Sequence, residues 1–77
     1  MNKEIEYGRY QLGTIKDDKG KFLGTVSRND GHPLAFESGA FGYRFLTAKS
    51  YDSEDNALAG AREIADEHER QLKPKAR

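Results

Sequence analysis

The chain predicts an α+β fold, an antiparallel meander of three to four strands with one C-terminal helix packed on one face of the sheet. Three observations carry that expectation. Small and apolar residues recur at helical spacing between Asp52 and Pro74. The segments on either side of Asp17 to Gly20 alternate as paired strands do. Further clusters of Gly, Asn, Asp and Pro then break the middle of the chain into short pieces.

The helix is the most clearly marked element. Ser53 or Asp52 supplies a capping oxygen for the first free N–H groups, and Glu54 and Asp55 place negative charge at the positive end of the helix. Ala57, Leu58, Ala61, Ile64, Ala65, His68 and Leu72 form an apolar stripe roughly 120° wide, the face that lies on a core. Ile64→Ala is therefore expected to cost about 2–5 kcal/mol. Arg70 and Lys73 suit the negative end, and Pro74 stops the helix. Asp66 with Arg70 and Glu69 with Lys73 have the acid-first spacing that favours ion pairs along a helix.

Ahead of the helix, the charged segment Met1 to Glu6 is expected to fray, with an ordered core from about residue 7 to 73. The first strand is expected from Tyr7 to Lys16, with Tyr10, Leu12 and Thr14 on one side and Tyr7, Arg9 and Gln11 on the other. Asp17 to Gly20 makes a tight turn, with glycine at the position that closes many hairpins through a positive φ. Phe22 to Arg28 returns, with Phe22, Gly24 and Val26 on one face and Leu23, Thr25 and Ser27 on the other. Asn29 to Gly31 turns again, Leu34 to Glu37 is a candidate short strand behind Pro33, and Ser38 to Gly42 is a loop. Tyr43 to Lys49 is the last strand, where Phe45 and Leu46 are neighbours and only one of them can face the helix. Tyr51 is placed to pack on the first helical turns.

The 77 residues are expected to form a single domain, 1–77, too short for a second core. The absence of cysteine rules out disulfide staples and thiolate metal sites. Thirteen basic residues balance thirteen acidic ones, which gives no general attraction to nucleic acid or to an anionic membrane. No apolar run has the length of a signal-peptide core or a membrane span, so a cytoplasmic protein with no membrane association is expected.

No constellation of residues announces catalysis. His68 lies on the helix stripe with no second His or Cys at ligand spacing, and His32 sits in a turn beside Pro33. The serines occupy turns and strand ends, and Gly39 and Gly42 lack the following helix and lysine of a phosphate-binding loop. The expectation is no enzyme, no cofactor and no metal.

The string Phe41, Gly42, Tyr43, Arg44, Phe45 partly resembles the aromatic strand of RNA-recognition domains, in which aromatic side chains stack on bases. It departs from that motif in three places. No lysine or arginine with a glycine stands directly before Phe41, Arg44 stands at a normally aliphatic position, and the last aromatic comes one residue early. In architecture, a three-stranded sheet with one helix resembles the small DNA-binding modules at integrase N-termini and in some plant transcription factors. Those lay the open sheet face in a DNA groove, and the resemblance would assign Arg9, Lys21, Arg28 and Arg44 to that contact.

One helix covers one face, so the other is left for solvent, a partner or a second copy. The resulting expectation is a protein-interaction module, or a self-associating one, that binds through its open sheet face or an edge strand. Tyr7, Arg9, Leu23, Tyr43, Arg44 and Phe45 are its candidate binding residues. Nucleic-acid binding through the same face is the alternative, disfavoured by the zero net charge.

Overall fold

Two hairpins build the sheet. The protein's structure, a computed structural model, describes residues 4–72. The first strand, β1 (Glu4–Tyr7), reverses through Gly8 and Arg9 into β2 (Tyr10–Lys16), with Tyr7 opposite Tyr10. Gly8 has φ +61°, as the first residue of a two-residue hairpin turn requires and a side chain would oppose. The second hairpin reverses over Asp17 to Lys21 into β3 (Phe22–Arg28), as expected from the sequence. Asp17 organises it: its backbone N–H donates to the Lys21 carbonyl, and its carboxylate accepts from the N–H groups of Lys19 and Lys21.

After β3 the chain leaves the sheet for a small two-stranded unit, β4 (Leu34–Ala35) with β5 (Phe41–Gly42), and returns as β6 (Phe45–Leu46) beside β3. The main sheet has the order β1-β2-β3-β6 and is antiparallel throughout. Helix α1 (Glu54–Leu72) lies across β2 and β3, so the architecture is α+β with a four-stranded sheet and one C-terminal helix packed on it.

Several sequence expectations change in detail. The predicted strand Tyr7 to Lys16 is two strands, because Gly8 and Arg9 reverse the chain rather than bend it. The sheet begins at Glu4, ahead of the expected start of order at residue 7. The piece Leu34 to Glu37 pairs only at Leu34 and Ala35, and does so outside the main sheet. The Ser38 to Gly42 loop contributes Phe41 and Gly42 to that pairing, and the last strand contracts from Tyr43–Lys49 to Phe45–Leu46. The proposed stop at Pro74 and the charge at Lys73 lie outside the described residues.

The helix starts where its cap predicts. Ser53 Oγ accepts from the N–H of Asn56 at 3.2 Å, and the Ser53 carbonyl accepts from the N–H of Ala57 at 3.1 Å. Its seat is narrower than the apolar stripe suggests. Ala57, Gly60, Ala61, Ala65 and His68 are buried, while Leu58 and Ile64 pack along the flanks and Leu72 is largely exposed. Small residues face the sheet because the two backbones approach closely at Gly24, and Tyr10, Leu12 and Val26 complete the core on the same face of the sheet. With Ile64 only partly buried on the flank of the helix, its truncation should cost about 1–2 kcal/mol rather than the 2–5 kcal/mol of a central residue. A urea midpoint shifted as far as that of a Leu12 truncation would place Ile64 in the core instead.

The ion pairs differ from the expected helical ones. Arg70 bridges to Glu67 rather than Asp66, Asp66 accepts from Tyr7 of the first hairpin, and Glu69 pairs with Arg9 there; the expected pair of Glu69 with Lys73 lies outside the described residues.

Candidate interaction surface

Register decides which face each side chain takes. Leu12 and Val26 are paired and fully buried under the helix, so Phe45, paired with Val26, also points to the helix side. Phe45 packs edge-on against Phe36, with ring centroids 5.0 Å apart, and Phe36 in turn meets the His68 ring at 5.2 Å. The choice between Phe45 and Leu46 is thus settled: Phe45 goes in, and Leu46 turns out and is 48% exposed.

The alternate pairs make the outer face. Ile15 stands opposite Leu23, Thr25 lies between Gly13 and Leu46, and Gln11 stands opposite Ser27. Glu4 and Glu6 extend the same face along β1, opposite Gly13 and Gln11. The outer face therefore has an apolar part, Ile15, Leu23 and Leu46 around Thr25, and an acidic border on β1. It carries no lysine or arginine among the described strand residues. The segment that could have covered it lies elsewhere. The chain from Leu34 to Gly42 sits on the helix side, where Leu34 is fully buried, Phe36 meets His68, and the Glu37 N–H donates to Gln71 Oε1 at 2.8 Å.

Tyr7 and Arg9, expected on the outer face, are not there. A two-residue turn puts Tyr7 on the same face as Tyr10, whereas an unbroken strand would have put it on the opposite one. Tyr7 donates its hydroxyl to Asp66 Oδ1 at 2.7 Å, and Arg9, at the hairpin tip, pairs with Glu69 Oε2 at 3.1 Å. Tyr10 donates to Glu69 Oε1 at 2.9 Å and lies 2.7 Å from His68 Nδ1. A carboxylate only accepts, so the Tyr10 proton goes to Glu69, and His68 carries its own proton on Nδ1 and donates it to Tyr10. Tyr7, Gly8, Arg9, Tyr10, Asp66 and Glu69 line an open cleft of about 510 Å3, with His68 buried behind Tyr10. Their polar atoms satisfy one another, which makes the cleft a clasp between the first hairpin and the second half of the helix.

The other sequence-selected residues scatter. Leu23 is on the outer face as expected. Tyr43 and Arg44 sit in the bend between β5 and β6, exposed, with Tyr43 64% accessible, and Phe41 beside them is 66% accessible. The structure thus joins Tyr7 with Arg9 and Leu23 with Ile15, and sends Phe45 to the helix side. Ile15 and Leu46 belong to the outer cluster but are absent from the sequence-derived binding set. Alternation along the two central strands already puts Ile15 on the same face as Leu23, and the register sets the two directly opposite each other.

Burial lowers the pKa of His68, and the Arg28 charge lowers it further. Burial, then the hydrogen bond to Glu69, raises that of Tyr10. Both shifts favour the neutral forms that the hydrogen-bond chain needs. The signs set two limits. As pH falls below the ordinary histidine value of 6.5, the unfolded chain takes up a proton that folded His68 resists, and stability drops. As pH rises past 10.0, the unfolded chain loses a Tyr10 proton that the fold retains, and stability drops again. Denaturant midpoints across pH 5 to 7 should therefore fall on the acid side, and a His68→Gln variant should flatten that slope. An unchanged slope would assign it to other groups.

Among the described residues, no group of three or more His, Asp and Glu side chains is arranged to hold a metal ion, and no helix is long and apolar enough to cross a membrane. No protein-family model matches this chain, and neither curated proteins nor solved structures give a match.

Proposed function

We propose that this protein is a non-enzymatic, cytoplasmic interaction module that binds a protein partner through the outer face of its sheet. The observation that carries the reading is the apolar cluster on the outer face, with Leu46 exposed and Ile15 and Leu23 half-buried beside it, over which the β4–β5 segment does not pack because it lies on the helix side. A sheet with one helix needs one apolar face. Leucine and isoleucine on the second face favour a contact that buries them.

Nucleic-acid binding is the second reading, and the charges weigh against it. Of the four cations it would use, Arg9 pairs with Glu69, Lys21 with Asp52 at 2.6 Å and Arg28 with Asp30 at 2.6 Å. Only Arg44 has no carboxylate partner among the described residues, and the open face itself carries Glu4 and Glu6.

Affinity capture from the native host with wild-type and Leu46→Glu baits tests the proposal. Leu46 is exposed and its substitution should leave the thermal midpoint within a few degrees, while the captured partner is lost. The partner's footprint by amide shift mapping should cover Leu23, Thr25 and Leu46. A footprint on the Phe41 to Arg44 bend, or a sub-micromolar salt-sensitive complex with a mixed oligonucleotide pool, would overturn it.

A further inference from the structure

The sheet ends at β1, and that edge has a chemistry of its own. Tyr7 and Tyr10 flank a two-residue turn and form a hydrogen-bonded pair, and bonded and non-bonded pairs alternate along an antiparallel ladder. Ile5 with Leu12 is therefore the next bonded pair, and the backbone N–H and C=O groups of Glu4 and Glu6 point away from β2. No described residue pairs with that side of β1. The opposite margin, β6, is only two residues long, and the chain after it keeps pairing with β3. Beyond β6, the Thr47 N–H donates to the Gly24 carbonyl at 2.9 Å, and Phe22 and Tyr51 exchange backbone bonds of 2.8 and 2.7 Å.

The side chains on the open edge select what can join it. Glu4 and Glu6 both project to the outer face, and their nearest polar contacts are the neutral amides of Gln11 and Asn29, at 3.4 and 3.2 Å. Neither has a cation at ion-pair distance among the described residues. Ile5, between them, projects to the helix side and is 41% exposed, since the helix lies over β2 and β3 rather than β1. Pairing with a second copy is disfavoured, because every antiparallel register that joins the free groups of two β1 strands sets glutamate against glutamate.

Deepening the proposed function, and resting on it, we infer that β1 takes an extended segment of a partner protein as a fifth strand, and that this segment reads basic–apolar–basic. The two basic side chains stand opposite Glu4 and Glu6, and the apolar one covers Ile5. Main-chain bonds to Glu4 and Glu6 supply the common part of the affinity, and the alternating side chains supply the choice of partner.

The probe is a capped peptide alternating lysine and valine, titrated into the full chain with amide shift mapping and hydrogen exchange as readouts. The expected result is shifts at Glu4, Ile5 and Glu6, slowed exchange at Glu4 and Glu6, and no response to a glutamate–valine peptide. The Glu4→Lys, Glu6→Lys double variant should reverse the peptide preference by about tenfold or more, as expected for two cross-strand pairs changing sign. Unchanged Tyr7 and Asp66 resonances will show that the hairpin stays folded in that variant. Methylating the lysine backbone nitrogens keeps the charge and removes the ladder, and should abolish binding. Equal binding of the methylated peptide would overturn the inference, since charge alone would then account for it, and so would an absence of shifts at β1. Leu46→Glu separates the two readings: it should leave the peptide response intact while removing the captured partner. Shifts confined to Leu23 and Leu46 would overturn the edge and leave the sheet-face reading standing.

Discussion

Gly24→Ala should unfold this protein at a much lower urea concentration, with a loss of about 3 kcal/mol. An added Cβ would lie 2.3 Å from the Ala57 carbonyl oxygen and 3.0 Å from both the Ala61 Cβ and the Thr47 Cγ2. The first of these is helix backbone, which cannot swing aside. The helix must lift from the sheet or slide along it, and either movement opens its contact with Leu12 and Val26. Replacing a strand glycine elsewhere usually helps by about 0.4–1 kcal/mol, because it restricts the unfolded chain, so the sign here is set by the clash. For a chain of this length the whole stability is roughly 4–12 kcal/mol, and the change removes much of it. Gly60→Ala is the control. Its Cβ would approach the Tyr51 hydroxyl at 2.5 Å, but that is the far end of a side chain that can rotate away. A higher midpoint for Gly24→Ala than for wild type would show that the helix does not rest on β3.

Tyr10→Ala should be as damaging, at about 4 kcal/mol, because Tyr10 is 2% exposed and its ring lies between the sheet and His68. The hydroxyl accounts for part of this. Tyr10→Phe keeps the ring but leaves the His68 Nδ1–H without its acceptor inside the core, and should cost about 1–3 kcal/mol. Glu69 is less affected because it retains Arg9. In a His68→Leu background the same Tyr10→Phe change should cost measurably less, since the stranded donor is gone. Equal costs in the two backgrounds, read from chemical denaturation, would mean that the hydroxyl and the imidazole do not act together.

The elements legible in the sequence are those written by neighbouring residues. The Ser53 cap, the acidic first turn and the Asp17 to Lys21 hairpin all depend on groups within a few positions of one another, and each stands where its signal lies. The alternation of Tyr10, Leu12 and Thr14, and of Phe22, Gly24 and Val26, correctly sorted both central strands. The failure at Tyr7 has a simple cause. Gly8 could mark either a bend or a reversal, and a reversal flips every residue before it to the other face. The short pieces between Pro33 and Lys49 are not legible in the sequence, for a related reason. Strands of two residues carry no periodicity, so only their tertiary contacts define them.

The candidate surface depended still more on distant contacts. That the second face would be open followed from one helix and two-sided apolar strands, but its composition did not. Tyr10 and His68 meet across 58 positions, and Tyr7 and Asp66 across 59. Such pairs decide which polar groups bind each other and which are left for a partner. The sequence by itself determined a capped helix, a central hairpin and their joining in an α+β fold, because backbone preference and hydrophobic period act over a few residues. Only the tertiary structure decided that the helix sits on a seam of small residues, that Tyr7 and Arg9 close a clasp, and that Leu46 rather than Phe45 joins Ile15 and Leu23 on the open face. Those outcomes depend on close packing between elements, and packing is set by shape at the point of contact rather than by the pattern along either element.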